Sequence, residues 1–205
     1  MSEESTKITM PTATNFRKGI LEGYRRIYNL VSVSGIRNGT VNMATKEIAA
    51  LSIAVWADGR VFGCIFEIPH VELAGYLERE HRYKPVEVKV WDCAQESYVT
   101  ALTVVENMDA DYKSSLKGGD AEYFERVGKY YSESLWERTD IFPMKKYMLN
   151  CAFAANLLGG IEWVNNYLDN TYLSDRSTTL RSYFISKRNS TDEDVLLAMD
   201  QLAIQ

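Results

Sequence analysis

Apolar residues fall along this chain in two regimes. Up to about residue 107 they alternate with polar ones or run in short blocks; beyond it they recur at helical spacing. The block 19–34, Gly-Ile-Leu-Glu-Gly-Tyr-Arg-Arg-Ile-Tyr-Asn-Leu-Val-Ser-Val-Ser, is rich in the β-branched and aromatic residues that suit a pleated backbone, and it predicts a strand. Arg37-Asn-Gly-Thr40 predicts a turn. Two further strands are expected at 48–56 and 61–68, joined by a hairpin turn at Asp58-Gly59. Pro69 stops the second of these. A helix over about 70–82 follows, with Val71, Leu73, Ala74 and Leu77 as its apolar stripe. Strands are then predicted at 86–91, where apolar and charged residues alternate, and at 98–105.

In the second half, residues 120–134 predict a helix after the Gly118-Gly119 break. The stretch 143–159 opens on proline and closes at Gly159-Gly160, which is helix punctuation. A short helix is expected at 161–168, and a last amphipathic one at 192–203 that either docks or frays. Residues 1–14, polar and small, are expected to form a flexible leader, 15–170 a domain, and 171–205 a C-terminal extension with a helical end. The fold class is α+β: a small curved mixed sheet or barrel with flanking helices and extra helices at the C-terminal end.

Composition narrows the classes of function. Of 205 residues, 46% are hydrophobic and 25% charged, enough for a real core in a globular protein. The net charge is −5 and there is no basic stripe, which argues against a nucleic-acid partner, since that affinity rests on neutralising phosphates. No apolar run is long enough to span a membrane, and the first residues lack the basic and apolar regions of a signal peptide, so a cytoplasmic protein is expected. Cys64, Cys93 and Cys151 lie apart in apolar contexts and suit reduced, buried thiols. His70 and His81 have no second ligand at metal spacing, so no metal is expected. The aromatics Tyr123, Phe124, Tyr130, Tyr131 and Trp136 sit in an acidic segment, where helix-face packing is the expectation rather than base stacking. The aromatic helices of this half suit a lid, plain packing or a dimer surface, which leaves a homodimer open.

The stretch Leu77-Glu-Arg-Glu-His-Arg-Tyr83 places two carboxylates among cations at the end of a helix, just before a strand. A carboxylate held between rigid elements is where a general base is positioned. Taken alone, Glu78, Arg79, Glu80 and Arg82 are better read as an exposed, charged helix end.

Three motifs follow one another in order. Gly23-Tyr-Arg-Arg26 leads to Tyr28-Asn29 and Ser32; Gly63-Cys-Ile-Phe-Glu-Ile-Pro69 leads to Glu72-Leu73, Arg79-Glu80 and Tyr83; Pro143 and Tyr147 open a helix that ends at glycine. This order resembles the gamma-glutamylcyclotransferase-like superfamily, which includes the glutathione-degrading ChaC type, over about residues 19–168. The family patterns are a "G-x-R-x-F-N-x-x-S" strand, a "G-x-x-F-x-V/I-P…E-L…R-E…Y" strand-helix-strand and a "P-S-x-x-Y" helix. The resemblance implies a small curved sheet or barrel around a cavity. It also implies an intramolecular aminolysis in which the α-amine of a γ-glutamyl group attacks its own γ-carbonyl and releases 5-oxoproline. Matched residue by residue, it assigns the acid/base role to Glu80 and puts Tyr147 at the pocket, with Tyr83 and Tyr24 as further substrate-binding candidates. No cofactor is implied; the partner is a γ-glutamyl small molecule such as glutathione. The family also has a "Y-G-S-x-L" oxyanion loop about twenty residues before Gly23. Residues 1–10 hold neither tyrosine nor glycine, so the expectation is either an enzyme shortened at its N-terminus or a relative that has lost the loop. In the latter case the chain is a non-catalytic small-molecule-binding or protein-interaction module.

Overall fold

The computed structural model describes residues 3–188 and 191–202. Within the stretch expected as a flexible leader, Glu3–Thr9 forms helix α1; Thr6 in it, and Met10 and Ala13 just after it, are buried. Strand β1, Thr14–Val31, is 18 residues long, and its last seven are all buried. With both faces covered there, the alternation of a half-buried strand is lost, and the sequence shows a block instead. A short helix α2, Val33–Arg37, follows, capped by the Ser32 hydroxyl, which accepts from the Gly35 amide.

Strand β2, Glu47–Glu67, pairs antiparallel with β1 from Ala49↔Val31 to Glu67↔Thr14. The expected hairpin at Asp58-Gly59 does not form. Both predicted strands pair with β1 instead of with each other, so they are one strand, and residues 56–59 loop out between the pairs Tyr24↔Val55 and Glu22↔Arg60. The long neighbour is the physical reason: β1 offers ladder partners on both sides of the irregularity, so the Asp-Gly pair is absorbed as a bulge. Gly23, at φ +79°, lies opposite it. Arg25 anchors the loop, its guanidinium 3.9 Å from the Trp56 ring centre and 4.4 Å from that of Tyr172.

A 3₁₀ turn, His70–Glu72, leads into helix α3, Leu73–Arg79. The expected stripe is only partly realised: Val71 is 86% exposed and none of the helix residues is fully buried. Strands β3, Lys84–Asp92, and β4, Ser97–Val105, form a hairpin, with the Asp92 carboxylate accepting from the Ala94 and Gln95 amides in its turn. β3 pairs with β1 at Gly19↔Asp92 and Ile20↔Trp91. Just past β4, the Glu106 amide donates to the Ile53 carbonyl at 2.8 Å, which draws the edge of β4 back towards β2 and curls the sheet.

The second half supplies the helical layer. Helices α4, Asp109–Ser115, and α5, Gly119–Tyr123, precede a π turn, Phe124–Gly128. The helix expected to reach residue 134 therefore stops at Gly128. The chain then turns inward, and Tyr131, Leu135 and Trp136 enter the core. Strand β5, Phe142–Pro143, runs parallel to β2 and leads into helices α6, Lys145–Gly159, and α7, Ile161–Asp169. Strand β6, Thr171–Tyr172, joins β1 in parallel, and helices α8, Leu180–Ser186, and α9, Glu193–Gln201, complete the described chain. The sheet order is β4-β3-β1-β2-β5, with β6 on β1. α9 docks: Asp192 caps it, Lys145 of α6 bonds Asp192, and Val195, Ala198 and Met199 are buried. Residues of the expected C-terminal extension, Leu180 and Phe184 among them, share one core with Tyr28, Trp136 and Leu168. A smaller cluster, Leu21, Val88 and Val90, lines the inside of the curl.

Candidate functional site

Glu80 is the residue that ends α3. Its amide donates to the Tyr76 carbonyl at 3.0 Å and its own carbonyl accepts from the Tyr83 amide at 2.9 Å, so it stands in a tight turn between helix and sheet. Its side chain is 23% exposed, and Arg79 Nε donates to its carboxylate at 3.1 Å. Tyr76 and Tyr83 lie within its field. Burial pushes the Tyr76 hydroxyl up to about 12, with the Glu80 carboxylate adding to the rise. The same two causes raise Tyr83 further. Both phenols thus stay protonated as hydrogen-bond donors at neutral pH, and Tyr83 uses its own on the Leu51 carbonyl at 2.9 Å.

Behind Tyr83 is a buried polar cluster. Tyr147, near the start of α6, is raised well above the usual phenol range by burial, then by Cys151 and Tyr83, and its ring meets Tyr28 edge-on at 6.3 Å. The Tyr28 and Tyr167 hydroxyls are 2.6 Å apart, and Tyr167 donates to the Met148 carbonyl. Next to them Arg26 is buried with no carboxylate partner among the described residues: it donates to Asn166 at 3.0 Å and to the Phe62 carbonyl. Burial lowers its pKa to about 10, so it keeps its charge at neutral pH. Asn166 also bonds the Phe62 amide and the Arg60 carbonyl, which fastens α7 across β2.

Of the residues singled out in the sequence, Glu80, Tyr83 and Tyr147 form a connected series from the α3 turn inward. Tyr24 lies elsewhere, against the Leu21, Val88 and Val90 cluster. Asn166 and Tyr167 were not found by motif or period, and Arg26, although part of the first motif, was not singled out, because its partner Asn166 lies 140 residues away. Asn29 likewise joins Ser52 and Glu106, with Arg176 bonding Glu106 at 2.8 Å.

Two cavities adjoin the α3 region. One, about 550 Å³, lies inside the curled sheet between Leu21, Ile53, Val61 and Val88, with Leu73 and Tyr76 of α3 over it and Arg17 and Glu67 on its wall. The other, about 510 Å³, is bounded by the α3–β3 turn, α2 and the π turn. Glu80 is on the wall of neither. Among the described residues, no three His, Cys, Asp or Glu side chains are grouped to hold a metal ion, and no helix is long and apolar enough to cross a membrane.

A curled mixed sheet backed by a layer of helices, with a carboxylate at the end of the helix that crosses its mouth, defines an α+β class of fold. Among solved structures, one titled gamma-glutamyl cyclotransferase superposes with a TM-score of 0.51 at 12% identity, covering 98% of this chain and 92% of that one. The chain has the gamma-glutamylcyclotransferase-like fold. An uncharacterised protein from Homo sapiens overlaps less, at TM-score 0.46 and 14% identity over 76% of this chain and 73% of that one. A solution structure from Arabidopsis thaliana covers 52% of this chain and 56% of its own, at TM-score 0.37 and 18% identity. No protein-family model and no curated protein sequence matches the chain.

Proposed function

We propose that this protein is a gamma-glutamylcyclotransferase-like enzyme that cyclises the γ-glutamyl group of glutathione, or of a γ-glutamyl amino acid or amine, to 5-oxoproline. The observation that supports it is the position of Glu80: a largely shielded carboxylate at the α3–β3 turn, beside Tyr76 and Tyr83, in a chain with the cyclotransferase-like fold. Glu80 takes one proton from the α-ammonium, the freed nitrogen forms its bond to the γ-carbonyl carbon, and the bond to the leaving nitrogen breaks as Glu80 returns that proton to it; the extra proton left on the ring nitrogen then passes by way of Glu80 to the released amine. Holding the γ-glutamyl chain coiled for five-membered ring closure supplies much of the rate. Tyr83 and Tyr147 are the substrate-side residues of this reading, and neither metal nor cofactor enters the chemistry.

The test is 5-oxoproline release from glutathione and from γ-glutamyl-alanine by the wild type and by Glu80→Gln. Release that falls by about 10²-fold or more in the variant, with an unchanged melting temperature, is the expected result. Release that the substitution leaves intact removes Glu80 from the mechanism. A second reading, a non-catalytic ligand-binding module, draws on the Glu80–Arg79 ion pair and on the position of Glu80 outside both cavity walls. Saturable binding of a γ-glutamyl compound without release would favour it.

A further inference from the structure

The cavity of about 510 Å³ at the α3–β3 turn is walled by five cations, Arg37, Arg79, Arg82, Arg126 and Lys129, against Glu78 and Glu125. Two more carboxylates, Glu80 and Glu122, reach cations of this wall. The pairing is uneven. Arg126 takes both Glu78 and Glu122, each at 2.7 Å; Lys129 takes Glu125 at 2.6 Å; Arg79 takes Glu80 at 3.1 Å. Among the described residues, no carboxylate pairs with Arg37 or Arg82. Two guanidinium nitrogens, Arg82 Nε and Arg79 Nη2, are moreover buried with no hydrogen-bond partner. A charged donor taken out of water without an acceptor is costly, so the guanidiniums of Arg79 and Arg82 carry unused hydrogen-bonding capacity beside the cavity that both residues line. His81, on the same wall, registers the positive field: burial, then Arg82 and Arg126, push it down to about 4.

We propose that this cavity is a binding site for a small oxyanion, a carboxylate or a phosphate group, held by Arg79 and Arg82 with Arg37 and Arg126 around it. The planar guanidinium forks match the paired oxygens of such groups and carry their charge at any physiological pH. The site stands apart from the cyclotransferase reading, although Arg79 is also the partner of Glu80.

The test is an NMR titration of the full chain with inorganic phosphate and, in a second arm, with glycylglycine, each against sodium chloride at matched ionic strength. The His81 ring and the arginine Nε resonances are followed. Saturable shifts with one or both probes and none with chloride are expected, and Arg82→Gln weakens the apparent Kd by at least about tenfold. Arg37 is exposed at the end of α2, so Arg37→Gln keeps the fold and also weakens binding. Saturation by phosphate alone identifies a phosphate site, and by glycylglycine alone a carboxylate site. Shifts reproduced by chloride, no saturation with either probe, or both variants binding as tightly as the wild type would overturn the proposal. The readout is binding rather than turnover, so it is independent of whether 5-oxoproline is released.

Discussion

His81 has its Nδ1 2.9 Å from the Tyr112 hydroxyl, with Arg82, Arg126, Glu78 and Glu122 as its charged neighbours. Burial and the two guanidiniums outweigh the two carboxylates, so its pKa drops from 6.5 to about 4. Between those values the unfolded chain binds a proton that the folded one refuses. The stabilisation from neutral His81 is therefore complete above the unfolded pKa and is lost as pH falls towards the folded one. Denaturation midpoints taken from neutral pH down to about 4 should fall more steeply for the wild type than for His81→Gln. Parallel pH profiles would show that His81 is not so perturbed. In the sequence, His81 was legible only as a histidine without a metal partner. Its environment is assembled from the α3 turn, α4 and the helix around Glu122 and Arg126, which no local pattern links.

At the scale of elements, the bulge in β2 shows how a local signal is overruled. Asp-Gly is a sound hairpin signal, but β1 runs past it and holds both flanks of β2 in one ladder. Gly59 is required there by contact: a Cβ would come within 2.2 Å of the Tyr24 carbonyl oxygen. Gly59→Ala should destabilise the protein by about 1–3 kcal/mol, measured by urea denaturation, because the backbone of β1 must shift to accommodate it. Unchanged stability would mean that the looped-out residues 56–59 adjust freely. Helix α8 was missed in the sequence, because Thr179-Leu-Arg-Ser-Tyr-Phe-Ile-Ser186 is short and mixes helix and strand formers. The structure shows its capping signal, the Thr179 hydroxyl accepting from the Ser182 amide. Phe184 is fully buried in the main core, so Phe184→Ala should cost about 3–5 kcal/mol. A loss below about 1 kcal/mol would place α8 outside the cooperative core.

At the scale of the whole molecule, the strand-rich first half and helical second half, the α+β class and the position of Glu80 at the end of a helix before a strand followed from the sequence itself. These are written in short windows: period-2 alternation in β3, β-branched runs in β1 and the Pro143-to-Gly159 punctuation of α6. The tertiary structure alone decided that residues 47–67 make one strand and that the Glu106–Ile53 bond curls the sheet. It also placed Arg26, Tyr28, Tyr147 and Tyr167 in one buried cluster, gathered the cations around Arg82 beside Glu80, and set Tyr24 apart from them. The division has a physical cause. Periodicity and turn chemistry act over a few neighbouring residues, whereas the Tyr28–Tyr167 contact spans 139 positions and forms only when β1 and α7 exclude water between them.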